Sequence, residues 1–217
     1  IQHYKLNIIR AAFTTGDSPF KYIPAYNVSL FLSANAADVR QANAEGYAAG
    51  QVLASTSEDS EEDEELRISF DFDGVIADDS AEYVYQKAGI DRFYEAEKAR
   101  AAIPHSPGPL ADLFAKLAKL RDLEDERAKH EPGYKRHIKT AIVTARSAPA
   151  HERVVTTLRA WNINVDQTFF LGGMDKGRIL AILKPHIFFD DQVDPHLTSA
   201  SHFTPSVYIP INGGTLK

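Results

Sequence analysis

The sequence predicts an α/β protein built on a mainly parallel β-sheet with covering helices. Short apolar runs alternate with helical patterns through the second half of the 217-residue chain, an order of elements that is typical of βαβ units. Several runs are apolar on both faces, as strands are when helices cover both sides of a sheet. With 44% hydrophobic residues, the chain can bury the core that a Rossmann-like sheet needs.

Five strands are predicted in the second half, over about 67–73, 138–144, 166–171, 186–190 and 206–210. Val154, Leu158 and Trp161 recur at helical spacing and predict a helix between the second and third of these strands. The apolar residues within 179–183 predict another helix. Pro185 ends it, because a proline disfavours helical geometry in the residue before it.

A helical insertion over about 78–137 is predicted between the first two of these strands. The separating residues, 75–138, far exceed the roughly 12 that a crossover between parallel strands requires. Within them, the apolar pattern predicts helices over 79–87 and 91–102 and a long helix from Pro109, with a break at 104–109.

Residues 1–57 are predicted to form a partial, degenerate copy of the same Rossmann-like unit. Shifted by 157 positions, residues 1–35 align without a gap on residues 158–192. A copy would place parallel strands at 8–14 and 28–33, with its first two strands upstream of Ile1. The alternative is that any two βαβ segments share such a rhythm. The predicted domains are the partial unit (1–57), an acidic linker (58–66) and a catalytic domain (67–217).

Charge and composition exclude several classes of protein. The 24 basic and 30 acidic residues give a net charge of −6, so a broad basic face for nucleic acid or anionic lipid is not expected. Without cysteine, disulfides and thiolate metal sites are excluded, which fits a reducing compartment and favours the cytoplasm. No apolar stretch approaches the roughly 20 residues that span a bilayer. We therefore predict no nucleic-acid partner and no membrane partner.

Two aspartates end the first strand of the second half. Because strand side chains alternate, Asp71 and Asp73 project to the same side. Two neighbouring carboxylates are hard to ionise unless a cation lies between them. This pair suits one nucleophile, one proton carrier and a divalent metal, although a solvated turn would have the same pattern.

Further polar residues follow the other predicted strands. Thr144 ends the second strand, Lys176 opens a helix after the third, and Asp190 and Asp191 end the fourth. Ligands of an open parallel sheet bind beyond the carboxyl ends of its strands, so these residues are predicted to converge in one crevice.

Phosphate chemistry fits this predicted crevice. A phosphate dianion about 4 Å from a carboxylate meets a repulsion of about 4 kcal/mol per charge pair at an effective dielectric constant of 20, so cations are needed. We predict Mg²⁺ held by Asp71, the Asp73 carbonyl and a carboxylate of Asp190 or Asp191. Lys176 and Thr144 would then contact phosphoryl oxygens.

The segment Asp71-Phe72-Asp73-Gly74-Val75 with Thr144, Lys176 and Asp190-Asp191 resembles the four ordered motifs of haloacid dehalogenase-like phosphatases. Within that superfamily, the chain resembles the cytosolic type I 5′-nucleotidase family over nearly its whole length. The narrower resemblance is carried by residues 15–19, 25–34, 108–110, 143–147 and 186–192.

This resemblance implies magnesium-dependent hydrolysis of nucleoside 5′-monophosphates by a cytosolic homo-oligomer with a haloacid dehalogenase-type fold and a helical cap insertion. Asp71 would be the nucleophile and Asp73 the acid/base, with Asp190 and Asp191 at the metal. Three places would supply the substrate-binding residues: the end of the second strand, the helix start after the third strand, and the insertion. In that order, the residues are Thr144, Ala145 and Arg146, then Lys176, then Phe93, Tyr94 and Lys98.

Two alternatives remain open from the sequence. A haloacid dehalogenase-like phosphatase or phosphotransferase acting on another small phosphoester would carry the same motifs. These motifs indicate phosphoryl transfer but do not specify which alcohol is the leaving group. A non-catalytic nucleotide-binding regulator would keep the fold without turnover. A panel of phosphomonoesters distinguishes these possibilities.

Overall fold

The computed structural model describes residue 8 and residues 10–17, 19–57 and 63–210. In this part of the chain, seven strands form one sheet in the order β1-β2-β7-β6-β3-β4-β5. Neighbouring strands are parallel except β2 and β7, which are antiparallel. The strands are β1 Phe31–Ser33, β2 Ala49–Val52, β3 Leu66–Phe70, β4 Ile138–Thr144, β5 Gln167–Phe170, β6 Ile187–Asp190 and β7 Ser206–Tyr208.

The five strands β3 to β7 confirm the strands predicted in the second half. From β3 the chain moves outward through β4 to β5, then crosses back to β6 on the other side of β3. The strand order therefore reverses between β3 and β6. In an open α/β sheet, the carboxyl ends at such a reversal flank a crevice where ligands bind.

The described helices are α1 Ile23–Tyr26, α2 Ala36–Ala44, α3 Ser80–Ala99, α4 Ala111–His130, α5 His151–Ala160, α6 Lys176–Leu183 and α7 Thr198–Ala200. The Asp175 side chain caps α6 by accepting a hydrogen bond from the Gly177 N–H at 2.6 Å. Lys184, in the left-handed conformation, ends this helix just before Pro185, as predicted. Within the described residues, no helix combines the length and apolar character needed to cross a membrane.

The main core lies around the central strand β3. Phe70 is fully buried and stacks on Phe189 of β6, with ring centroids 5.1 Å apart. On the same ring, Phe114 of α4 packs edge-on, also at 5.1 Å. This aromatic cluster fixes α4 against the sheet beneath the strand ends that carry the candidate site.

The predicted helical insertion is present as α3 and α4. Gly89 interrupts α3 with φ 81° and ψ 178°, which matches the two predicted helical segments. The entry and exit of the insertion are joined: Ala77 pairs with Pro107 in a β-bridge, and the Gly108 N–H donates to the Ile76 carbonyl at 2.8 Å. The insertion is therefore anchored directly behind the turn that carries Asp73.

Gly108 makes the closest approach in this anchor. A Cβ on Gly108 would lie 2.3 Å from the Ala77 carbonyl oxygen and 2.8 Å from that of Val75. We expect Gly108→Ala to reduce the free energy of unfolding by about 1–3 kcal/mol, because backbone atoms cannot rotate away from the added methyl group. Urea unfolding measures this loss. Ser106→Ala, an exposed change in the same loop, is the control, and equal stability of the two variants would contradict the packing argument.

The first segment joins the same sheet, but not in the predicted form. The described residues of 8–14 contain no strand, whereas the matching segment of the second half forms β5. The predicted repeat is therefore not confirmed. The 28–33 segment does contain β1, which pairs in parallel with β2.

A local two-fold relation nevertheless links two strand pairs at the predicted offset of 157. In β1 and β2, Phe31 lies opposite Ala49. In β6 and β7, Phe188 lies opposite Ser206. The residue numbers of the second pair are those of the first pair plus 157. Where β2 meets β7, Gln51 lies opposite Tyr208, its own counterpart at that offset. The antiparallel pairing of β2 with β7 therefore lies at the centre of this local two-fold relation, between the parallel pairs β1-β2 and β6-β7.

Candidate active site

The turn after β3 presents the two predicted aspartates. Asp71 follows the last strand residue, is buried, and accepts a hydrogen bond from the Phe72 N–H at 2.7 Å on its Oδ1. The chain then makes one tight turn over Phe72–Ile76, in which Gly74 adopts φ 69°, a conformation that glycine enters without steric cost. This turn brings Asp73 to the same side of the sheet as Asp71.

Lys176 lies beneath Asp71 at the start of α6. Its Nζ is 2.8 Å from Asp71 Oδ2 and 2.7 Å from Asp190 Oδ2, and its side chain is fully buried. Burial raises the pKa of Asp71 to about 6, against the opposing charge of Lys176. Burial by itself would lower the pKa of Lys176, but the charges of Asp190 and Asp71 outweigh burial and raise this pKa to about 12. The lysine is thus a fixed cation between two carboxyl groups.

The end of β6 supplies Asp190 and Asp191. Asp190 Oδ1 accepts the Gln192 N–H at 2.8 Å and lies 3.2 Å from His196 Nδ1. Despite burial, the Lys176 charge and His196 lower the pKa of Asp190. Asp191 differs: among the described residues its Oδ1 is buried without a hydrogen-bond partner. Burial, with the Asp71 and Asp190 charges, raises its pKa to about 9.

This carboxyl cluster fits a divalent cation. Asp71, Asp190 and His196 offer ligand atoms that all lie within 4.8 Å of one another, and the charges of Asp71 and Asp190 act on the nearby Asp191. Carboxylate oxygens are ligands that Mg²⁺ and similar hard cations prefer. A bound cation would also offset the burial and charge repulsion that raise the Asp191 pKa.

Thr144 ends β4 beside this cluster. The Leu171 N–H donates to the Thr144 carbonyl, and the Gly172 and Gly173 N–H groups donate to Arg146 and Ala145, at 2.9–3.0 Å. These bonds join the loop after β4 to the loop after β5, so Thr144 and Ala145 are held at the cavity wall.

A cavity of about 410 Å³ lies over these strand ends, within the range of about 300–1,000 Å³ that is typical of small-molecule sites. The strand-end loops supply its polar wall, and α3 supplies aromatic and apolar side chains. The lining residues are Asp71, Asp73, Glu82, Tyr85, Ile90, Phe93, Tyr94, Thr144, Ala145, Arg146, Ser147, Gly172, Gly173, Gln192 and His196.

The three residues predicted from the insertion have different positions. Tyr94 lines the cavity and its hydroxyl lies 2.6 Å from Ser147 Oγ. Phe93 also reaches the cavity but is mostly buried against Ala81 and Ala150. Lys98 is exposed and outside the cavity lining. Its predicted contact with substrate is therefore not supported, because the apolar stripe of α3 turns that position to solvent.

Arg146 was predicted to bind substrate, but its guanidinium is committed to protein groups. Nε and Nη2 donate to the two carboxylate oxygens of Asp73 at 2.7 and 2.6 Å, and Nη1 donates to Glu97. Its side chain is 2% exposed. Arg146 therefore lines the cavity while its guanidinium is held in a buried ion pair to Asp73, and its contact with substrate stays a prediction.

Lys176 also differs from the sequence expectation. It lies within hydrogen-bond distance of the predicted nucleophile, but it is not among the residues that line the cavity. The structure brings Lys176 together with Asp71 and Asp190, and none of Lys176, Asp190 and Asp191 is among the cavity-lining residues. The predicted contact of Lys176 with phosphate stays a prediction.

Sequence reasoning missed Glu82, Glu97, His105 and His196. Glu82 lines the cavity, and burial raises its pKa. His196 could have been suspected only from its position six residues after Asp190, since histidines with no clustered spacing carry no ligand signal. Glu97 and His105 come from the insertion, whose orientation the sequence did not specify.

The fold and site define an α/β protein with carboxylates, a lysine and a threonine gathered at the strand-order reversal of a parallel sheet. A family model for 5′-nucleotidases matches residues 1–215. The chain belongs to the 5′-nucleotidase family, which confirms the predicted resemblance.

Cytosolic 5′-nucleotidase 1B of Homo sapiens is 34% identical over 198 residues, covering 89% of this chain and 31% of the relative. The chain thus spans about a third of the length of that relative. Among solved structures, the HAD domain of the effector protein Lem4 from Legionella pneumophila matches 70% of this chain and 89% of its own, with 16% identity and a TM-score of 0.37. A likeness this low does not by itself define a common fold.

Proposed function

We propose that this chain hydrolyses nucleoside 5′-monophosphates to nucleoside and phosphate, as a phosphoric monoester hydrolase. The observation that carries the proposal is one cavity with two kinds of wall. Asp71 and Thr144 at the strand ends suit a phosphate group, while Tyr85 and Tyr94 of α3 suit a base and sugar. Membership of the 5′-nucleotidase family supports the same substrate class.

In the first step, an Asp71 carboxylate oxygen attacks phosphorus. The bond between phosphorus and the ester oxygen breaks, and Asp73, which enters this step in its protonated form, donates that proton to the leaving oxygen. Thr144 donates a hydrogen bond to a phosphoryl oxygen. The positive charge of Lys176, fixed 2.8 Å from Asp71, stabilises the nucleophile in the ionised state that attack requires.

In the second step, Asp73 takes a proton from water, and the water oxygen attacks the phosphorus of the aspartyl-phosphate. The bond between phosphorus and the Asp71 oxygen breaks, which releases phosphate and restores the carboxylate. The cycle therefore ends with both aspartates in their starting protonation states.

We propose Mg²⁺ as the divalent cation, held by Asp71, the Asp73 carbonyl and Asp190 or Asp191, with His196 beside Asp190. When bound, the cation neutralises charge between the nucleophile and the phosphate. The buried, unpartnered oxygen of Asp191 supports a cation here. A cytosolic location and homo-oligomerisation are further proposals, which rest on the family resemblance.

Phosphate release from a panel of substrates tests the function. With Mg²⁺, we expect turnover of nucleoside 5′-monophosphates above that of sugar phosphates and of nucleoside 3′-monophosphates. EDTA should abolish this turnover and added Mg²⁺ should restore it, because the carboxyl cluster repels a phosphate dianion without a cation.

A preference for sugar phosphates would instead identify a phosphatase with another leaving group. Nucleotide binding without phosphate release, with or without Mg²⁺, would contradict the proposed hydrolase and favour a regulator.

A further inference from the structure

A buried network of four charged side chains joins Asp73 to the insertion. Arg146 pairs with Asp73 in a fork, and it also pairs with Glu97 of α3. Glu97 in turn accepts a hydrogen bond from Arg153 of α5 at 2.7 Å. Asp73, Arg146, Glu97 and Arg153 therefore form one connected set of contacts between the strand turn, the insertion and α5.

Protein acceptors use the hydrogen-bonding capacity of Arg146. Nε and Nη2 bond Asp73, Nη1 bonds Glu97 and also the Ala150 carbonyl at 3.0 Å, and Nη2 lies 3.1 Å from His105 Nε2. A guanidinium has five N–H donors in a fixed plane. Four of these donors have an acceptor in Asp73, Glu97 or the Ala150 carbonyl, and the fifth faces the His105 ring, so the guanidinium contacts neighbouring protein groups.

The rest of the network fixes the position of the guanidinium. Its central carbon lies 5.5 Å from the ring centroids of both Phe72 and Phe93, so the strand turn and α3 both contact its faces. Although burial opposes ionisation, His105 and Arg146 hold the pKa of Glu97 at about 2. The ionised form of Glu97 is therefore favoured, and it contacts Arg146 from the insertion.

We infer that Arg146 is a positioning residue that holds the Asp73 carboxyl group for proton transfer, and that Glu97 of the insertion fixes Arg146 in turn. This inference rests on the proposed function, because it gives Asp73 the acid/base role. A planar fork controls both the place and the orientation of a carboxylate, whereas a single ammonium group controls neither. The insertion thereby orients a group of the catalytic turn through two ion pairs.

The test compares leaving groups in Arg146→Lys, which keeps the charge and loses the fork. Substrates with poor leaving groups need the proton from Asp73, so we expect kcat to fall roughly 10- to 100-fold for a nucleoside monophosphate and for phenyl phosphate. For 4-nitrophenyl phosphate, whose leaving group needs little protonation, we expect a fall of less than about 3-fold. Glu97→Gln should give the same selective loss, because it releases Arg146.

Arg153→Lys is the matched control. Arg153 is similarly buried and bonds the same glutamate, but none of its described contacts is with Asp73. We expect it to lower the unfolding temperature like Arg146→Lys while reducing kcat by one common factor for all leaving groups. Rates are compared at saturating substrate for variants whose circular dichroism spectra match the wild type.

The outcomes separate this inference from the proposed function. If Arg146→Lys lowers kcat by the same factor for all leaving groups, or does not lower kcat at all, Arg146 has a structural role only and the inference is overturned. Wild-type turnover of aryl phosphates without turnover of nucleotides would refute the nucleotidase proposal, and the aryl series would still decide the role of Arg146. A wild type that cleaves no phosphomonoester would overturn both.

Discussion

Asp71→Asn is expected to reduce nucleotide turnover to the background rate, the largest effect of any single change in the site. The amide cannot attack phosphorus, so no aspartyl-phosphate forms. An activated ester should not rescue the variant, because leaving-group protonation is not the step that is lost. Phosphate release from a nucleoside monophosphate and from 4-nitrophenyl phosphate measures both expectations.

The fold should survive this change. Lys176 keeps its 2.7 Å contact with Asp190 when the Asp71 charge is removed, so the buried cation retains an anion. Thermal unfolding checks this, and nucleotide affinity should be equal to or tighter than that of the wild type with one negative charge gone. In the wild type, rapid acid quench followed by mass spectrometry should find the phosphoryl group on the peptide that contains Asp71. Substantial turnover by Asp71→Asn would overturn the proposed mechanism.

The sheet and the convergence of its strand ends could be predicted from the sequence because both follow from local pattern and topology. Apolar runs identify β3 to β7, and parallel strands bring their carboxyl ends to one edge. Asp71, Thr144 and Asp190 needed no further information, since each directly ends or follows a strand. Their grouping is a consequence of chain direction more than of any particular side-chain contact.

Arg146 shows where this reasoning stops. Next to a predicted phosphate site, an arginine is reasonably expected to bind phosphate. Its actual partner Glu97 lies 49 residues away in the insertion, and the period of a helix does not specify how that helix is oriented over a sheet. Only the packing of α3 decides that Glu97 points inward and Lys98, the next residue, points to solvent.

The first segment shows a second limit. The predicted alignment of residues 1–35 with 158–192 places β1 on β6. The repeat is not confirmed, because the strand expected at 8–14 is not seen in the described residues of that range. Sequence periodicity reports which faces are apolar. It does not report whether a strand has a neighbour to pair with, and an isolated strand gains little from extending.

Asp73→Asn is expected to slow nucleotide hydrolysis roughly 10²- to 10⁴-fold, because it removes the proton carrier while leaving the nucleophile in place. A 4-nitrophenyl ester needs little protonation, so its turnover should be restored far more than that of a nucleoside monophosphate. The asparagine also loses one of the two carboxyl oxygens that accept hydrogen bonds from buried Arg146, and we expect a lower unfolding temperature for this reason, although Glu97 still pairs with Arg146. That loss of stability cannot depend on the substrate, so the ratio of the two rates isolates the chemistry. Asp71→Asn, for which neither substrate should be turned over, is the matched control. A uniform loss in Asp73→Asn would assign Asp73 to structure and leave the proton transfer to another group.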